Sequence, residues 1–418
     1  MPSPGSEPPP RHRWTVLAVG AGATAALSAV QGGLPALGPA IQQAFGLSLV
    51  EVTGVFTAFA LGTVLTLLAW GALSDRVGER WVIAAGLAAG ALVLAALGSV
   101  DELSAGLAVE RYPALLAGVA LAGMLGSSAI AASGRAVFGW FPRDERGLAL
   151  GLRQTAVPVG AATASFSLPP LAAASGLDAA LYALAGAMLV AAVASAVWLR
   201  DGPRRASAAP PAPDAVRDPR IWRLSAASSL MIVGQVGVTS LLVLYLYAER
   251  DWTAAQAALA LGTVQLGAAG ARVAAGRWSD LRDERIEPFR RLAATAAGLL
   301  LAAAALVPAP GAVAVPVLMA GGVAAMSWNG LSFTAAAEIS GRRQAGTAMG
   351  IQNTAMRVVA AAVPVGLGLV AASISWQLAF AVMGASPLAA RALLSPLVAD
   401  EHRRRTERRA RLLAGRAS

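Results

Sequence analysis

Hydrophobic residues in this chain gather into long runs, broken by short polar or charged stretches. Twelve such runs can be read, at about 14–37, 49–72, 82–100, 113–138, 151–175, 179–199, 222–245, 255–275, 292–308, 312–338, 348–372 and 377–398. At 1.5 Å rise per residue, about 20 apolar residues cross a ~30 Å hydrocarbon layer. The runs are too long for the core helices of a soluble domain, so the pattern predicts an all-α integral membrane protein with twelve transmembrane helices. Small residues recur inside them, and Gly86-x-x-x-Gly90 is the spacing that lets two membrane helices approach closely.

The pattern also repeats. Gly71-Ala-Leu-Ser-Asp75-Arg76-Val-Gly78-Glu-Arg80 follows the second run, and Gly276-Arg-Trp-Ser-Asp280-Leu-Arg282 follows the eighth, 205 residues later. A second pair, Gly151-Leu-Arg-Gln-Thr155-Ala156 and Gly350-Ile-Gln-Asn-Thr354-Ala355, lies 199 residues apart. Two unrelated motifs at nearly one offset predict two pseudo-symmetric six-helix bundles, spanning 14–199 and 222–398. Residues 1–13 then form an N-terminal tail, the Pro/Ala-rich stretch 200–221 a linker, and 399–418 a basic tail. Parallel repeats in a polytopic membrane protein point to a carrier whose halves rock against each other.

Composition agrees. The chain has 418 residues, 56% of them hydrophobic and 13% charged. Its mean hydropathy is +0.62, whereas soluble domains carry roughly 25% charged residues. All 33 basic residues are arginine. Twenty-five fall on the side shared with the N-terminus, six within runs, and only Arg111 and Arg250 on the opposite side. By the positive-inside rule both termini face the cytoplasm, in the cell membrane of a multi-pass protein. The formal charge of +10 then reflects topology and anionic lipid, with no nucleic-acid partner. Nine of the ten tryptophans lie near run ends, as an interfacial belt requires; Trp328 is the exception. Met1–Pro10 is Pro-rich and lacks the layout of a cleaved signal, so the first run is kept as a span.

Much chemistry is excluded. There is no Cys, and the two histidines, His12 and His402, lie outside the spans, so neither a metal centre nor a His-based catalytic cluster is expected. Without Lys no phosphate-cradling Gly-x-x-x-x-Gly-Lys exists. The expectation is a monomeric, non-enzymatic carrier of a small molecule, without cofactor, moving a coupling proton or counter-anion if it is coupled at all.

Residues Gly71 to Arg80 resemble the loop 2–3 signature of the major facilitator superfamily, and Gly276 to Arg282 its degenerate copy in loop 8–9. Phe141-Pro-Arg-Asp-Glu-Arg146-Gly147-Leu-Ala-Leu-Gly151-Leu-Arg-Gln-Thr155 is similar to many bacterial members. The resemblance implies that spans one, four, seven and ten line a central cavity. The chain departs from drug/proton exporters of that family: Val119 stands where a span-four arginine is usual, span five reads Thr155-Ala-Val-Pro158-Val-Gly160, and span one holds no acidic residue.

Three groups of candidates follow. Asp75, Arg76 and Arg80, with Asp280 and Arg282, sit where a conformational gate would hold two halves together; a topogenic charge cluster is the rival. Arg357 lies ten residues after Thr347, about 15 Å deep, where an arginine costs roughly 2.5–3.5 kcal/mol and needs a counter-charge, a carbonyl cluster or a cavity. It would bind a substrate anion or pair with Glu338. Arg272, Trp328, Asn329, Gln235, Gln265 and Gln31 complete a candidate substrate pocket, with interhelical hydrogen bonding the alternative for each. Two cargoes stay open: a small organic or inorganic anion facing Arg357, or a drug-like compound exchanged for protons through Glu338.

Overall fold

The computed structural model describes residues 12–99, 110–141, 146–200, 216–341 and 344–417, and every regular element among them is helical. Span one is His12–Ala36, with a short helix Gly38–Phe45 after it; spans two to four are Leu49–Val77, Glu79–Gly98 and Arg111–Trp140. Spans five and six form one 53-residue helix, Arg146–Trp198, bent at Gly176 with φ 89 and ψ 163. The expected break near 175 is thus a single residue in the left-handed region, which glycine alone enters without strain. Spans seven, eight and nine are Pro219–Glu249, Ala254–Arg282 and Ile286–Ala305. Span eleven is Ala345–Ser373, and span twelve runs on from Trp376 to Ala417. Among the described residues ten stretches are long and apolar enough to cross a membrane, with Gly311–Ser340 taken as one; Leu152–Trp198, at 47 residues, has the length to cross twice, and Ile286–Ala305 lies where the ninth apolar run is read.

Two expectations need correction. Span ten, read as one run over 312–338, is two helices, Gly311–Ala325 and Asn329–Ser340, interrupted at Met326–Trp328. The end of span twelve near 398 is not a helix end, because the basic tail continues the same helix. Local chemistry fixes other ends. Ser48 accepts from the backbone N–H of Glu51 while the Glu51 carboxylate accepts from Ser48 N, a reciprocal cap on span two. Gly78, at φ 101, turns the chain from span two into span three.

The chain packs as two compact units: Met1–Ser207 with Trp252–Gly262, and Ala208–Asp251 with Thr263–Ser418. In the first, span one lies on five (Gly160 against Ala25), two on four, and three on six (Gly90 against Met188). In the second, seven meets eleven (Gly237 against Leu367), eight meets ten (Gly267 against Val323) and nine meets twelve (Gly384 against Leu301). The pairing order is the same, so the sequence repeat is a structural repeat. Contact between spans two and four is closest: a Cβ on Gly62 would strike Ala120 O, and one on Gly123 would strike Phe59 O. That approach lets Thr66 Oγ1 and Trp70 Nε1 each donate to Met124 O at 2.7 Å.

Candidate functional site

The two Ser-Asp loops have different surroundings. In the first, Ser74 is buried and donates to Gly71 O at 3.0 Å, while Gly78 N closes on Ser74 O at 3.1 Å. Asp75 and Arg76 project, exposed, from the last turn of span two. Arg80 donates to Ala196 O at 2.8 Å, tying the start of span three to the end of span six, and lies 4.8 Å from the Trp81 ring centre.

In the second loop, Ser279 is fully buried and donates to Glu284 O. The cation paired with Asp280 is Arg285, at 2.6 Å, while Arg282 lies over Trp278 at 5.4 Å. Arg285 also donates to Ser279 Oγ at 2.7 Å and to Glu338 Oε1 at 3.1 Å. Its backbone N–H donates to Glu401 Oε1 at 2.7 Å, and that of Ile286 to Glu401 Oε2 at 3.1 Å, so a carboxylate from the end of span twelve caps span nine. Arg405 extends the same contact, reaching Glu284 Oε1 at 2.6 Å and Arg282 O at 2.7 Å. Arg285 and Glu401 stand outside the repeated motif, and Arg405 belongs to the basic tail, so the motif alone points to none of the three. Arg342 and Arg343, four and five residues after Glu338, lie outside the described residues.

Arg357 sits within a turn of the middle of the 29-residue helix Ala345–Ser373. It is half-buried, its Nε is buried without a partner, and among the described residues it makes no hydrogen bond or ion pair. Pairing with Glu338 is not what the structure has, since that carboxylate is held by Arg285. Arg272 is half-buried and donates from Nε to Met326 O at 2.7 Å, so it satisfies a carbonyl freed by the break in span ten. The break explains the membrane arginine as a cap on interrupted backbone.

The remaining candidates separate. Trp328 is fully buried, stacked on Phe289 with ring centres 5.2 Å apart and planes at 6°, and donates to Ala325 O at 2.7 Å. That is a core position, which removes it from any ligand pocket in this conformation. Gln265 is buried and Gln31 is exposed. Gln235 and Asn329 each bury a side-chain oxygen with no partner, which costs about 1–3 kcal/mol apiece.

A polar junction in each unit went unread in the sequence. In the second, Gln352 Nε2 donates to Ser228 Oγ at 2.9 Å and Ser332 Oγ at 2.5 Å, and the two hydroxyls are 2.6 Å apart. Gln352 is fully buried, and its Oε1 has no partner. In the first, Arg153 Nε donates to Ser133 Oγ at 3.0 Å, and Ser133 lies 3.3 Å from Thr24 Oγ1. The members correspond across the repeat: Ser133 and Ser332, like Arg153 and Gln352, are 199 residues apart, and Thr24 and Ser228 are 204 apart. Spans one, four and five are thus joined as seven, ten and eleven are, with a cation in one unit and an amide in the other. The signal was present, because Arg153 and Gln352 occupy the third position of the repeated Gly-x-x-x-Thr-Ala motif.

A groove of about 240 Å³ in the first unit, bordered by Thr66, Trp70, Leu73, Leu121, Met124 and Leu125, offers no charge, and its Thr66 and Trp70 are already bonded to Met124 O. Among the described residues, buried polar atoms without a partner occur in both units, at His12 and Ser128 in the first and at Ser229, Gln235, Asn329, Gln352 and Arg357 in the second.

Residues 19–364 match the family model of the Major Facilitator Superfamily. An uncharacterized MFS-type transporter of Mycobacterium tuberculosis (strain H37Rv) is 36% identical over 410 residues, covering 96% of this chain and 89% of that one. A probable galactarate/D-glucarate transporter of Bacillus subtilis (strain 168) is 33% identical over 112 residues, 27% of this chain and 24% of its own length. Among solved structures, a bacterial homolog of the human lysosomal transporter Spinster, inward-facing and unoccupied, superposes with a TM-score of 0.72 at 15% identity, over 95% of this chain and 97% of that one. The same homolog in its occupied form gives 0.72 at 16% identity over the same shares.

Proposed function

This chain belongs to the major facilitator superfamily of secondary transporters, and from that premise we propose that it carries a small anion across the cell membrane by alternating access, with Arg357 as the anion's counter-charge. The observation that carries this reading is an arginine near mid-membrane with no hydrogen bond or ion pair among the described residues. A cation in that position is kept only where it meets a pathway or a partner. Removing Glu338 as the partner leaves the cargo as the simplest occupant. An organic anion is favoured by the partial likeness to a probable galactarate/D-glucarate transporter.

Proton-coupled export of drug-like compounds is the second reading, and it needs a carboxylate free to titrate in the pathway. Glu338 was the candidate; it is more than half exposed and bonded to Arg285. Arginine placement supports cytoplasmic termini, and the Ser-Asp loops then sit on the cytoplasmic side. There Asp280, Arg285, Glu338 and Glu401 would act as a gate that holds one conformation, with Asp75, Arg76 and Arg80 its counterpart. The test is binding of a panel of carboxylates and inorganic anions to the purified protein. Arg357→Gln should abolish it, and Arg357→Lys should keep part of it, because Lys retains charge without the planar fork. Unchanged binding in Arg357→Gln would reject the reading.

A further inference from the structure

Two arginines from different spans converge on one tryptophan at the arginine-rich end of the second unit. Trp278 stands three residues beyond the eighth apolar run, and Arg291 one residue before the ninth. Both therefore lie at the level where the hydrocarbon of a bilayer gives way to its headgroups. The guanidinium of Arg282 is 5.4 Å from the Trp278 ring centre, and that of Arg291 is 5.9 Å from it. Trp278 and Arg282 are four residues apart, so they share one face of span eight. One and two turns deeper on that face, Ala274 and Gly270 are exposed, and a Cβ built on Gly270 would meet nothing within 4 Å.

The arginines at this end outnumber the carboxylates that could hold them. Between residues 280 and 287 stand Asp280, Asp283, Glu284 and Glu287, and each is taken. Asp280 is bonded to Arg285 at 2.6 Å and Glu284 to Arg405 at 2.6 Å, while Asp283 lies 3.7 Å from Arg405. Glu287 is shared by Arg290 at 2.7 Å and Arg291 at 2.8 Å. Arg291 uses only its Nε there, which leaves its two terminal nitrogens unbonded among the described residues. Arg282 is exposed, and among the described residues its side chain makes no hydrogen bond or ion pair. Other arginines that lie on rings also hold carbonyls: Arg80 bonds Ala196 O, and Arg250 bonds Val307 O and Ala309 O. Those two tie segments of the fold together, whereas Arg282 ties nothing.

A ligand that fits here brings acceptor oxygens for two guanidinium groups and an apolar body for the open face below Trp278. A phosphodiester suits the planar arginine fork, and basic pockets between spans at headgroup level are where anionic lipids are held. We infer that Arg282, Arg291 and Trp278 form a site for one anionic phospholipid, its phosphate on the two arginines and an acyl chain along Ala274 and Gly270. The site is separate from Arg357 and independent of the cargo.

The experiment titrates phosphatidylglycerol and phosphatidylcholine of identical acyl chains into the purified full chain in neutral detergent, with bound lipid counted by native mass spectrometry. An arginine beside an anionic headgroup contributes about fivefold in affinity, so two predict a preference of about 25-fold for phosphatidylglycerol. Arg282→Gln and Arg291→Gln should each remove about fivefold of that preference, and Arg282→Lys less, since it keeps the charge. Arg223→Gln is the control: Arg223 is likewise exposed and without a partner among the described residues, and its loss should leave the preference intact. Equal affinity for the two lipids would overturn the inference. So would equal losses in Arg223→Gln and Arg282→Gln, which would reduce the site to unspecific charge. Displacement of the lipid by an equal concentration of glycerol phosphate would overturn it too, because the arginines would then be serving a soluble phosphate.

Discussion

Arg357 and Glu338 give a prediction in which the sign alone is decisive. If the two formed a buried ion pair, removing the arginine would strand a carboxylate and cost about 3–5 kcal/mol. In the structure Glu338 belongs to Arg285, at 3.1 Å, with 54% of its side chain and 15% of that of Arg285 exposed. An ion pair that open to solvent is worth about 0.2–1 kcal/mol. Arg357 has no partner to strand, so Arg357→Gln should leave stability unchanged or raise it, bounded by the ~2.5–3.5 kcal/mol that an arginine costs at the centre of a span. Two double-mutant cycles on the purified protein, read by thermal and denaturant unfolding, separate the cases. Arg285→Gln with Glu338→Gln should show a coupling of about 0.2–1 kcal/mol. Arg357→Gln with Glu338→Gln should be additive within about 0.3–0.5 kcal/mol. A coupling above about 1 kcal/mol between 357 and 338, or a loss of several kcal/mol in Arg357→Gln alone, would refute the reasoning.

Gly62→Ala or Gly123→Ala places a methyl group on a facing backbone carbonyl, which cannot rotate away, and should destabilise by about 1–3 kcal/mol. The double variant should cost less than the sum, since either substitution alone already parts spans two and four; full additivity in the unfolding measurement would contradict this. Asp75→Asn should keep folding and substrate affinity but slow transport, because a gate residue biases a conformation without touching cargo; affinity lost in proportion to rate would place Asp75 in the binding site. Single cysteines at 75 and 280 in this Cys-free chain should resist impermeant thiol reagents applied outside intact cells, and one at 250 should react; labelling at 75 or 280 would reverse the orientation.

The helices were legible because a membrane span is written as a length of apolar residues, a signal that survives without knowledge of tertiary contacts. The repeat was legible for a related reason: both Ser-Asp loops lie at span ends, where charge stands out against an apolar background. The break in span ten is silent in the sequence because Met326 and Ser327 bring no Gly or Pro to announce it, and Arg272, the donor that meets Met326 O, comes from another helix. Trp328 looked like a pocket residue because it lies away from the interface, yet its partner, Phe289, is 39 residues distant in sequence. The charge cluster at the second Ser-Asp loop was half visible. Asp280 could be found, whereas Arg285 and Glu401 are joined only by the packing of span nine on span twelve.

The central claim is that an anion meets Arg357 during transport, and uptake by proteoliposomes tests it most directly. Vesicles holding the wild-type protein or Arg357→Gln are given labelled gluconate, lactate, succinate or chloride, with and without a pH gradient. Saturable uptake of a carboxylate by the wild type, absent in Arg357→Gln although that variant is at least as stable, is the predicted result. Uptake that persists undiminished in Arg357→Gln would contradict the account.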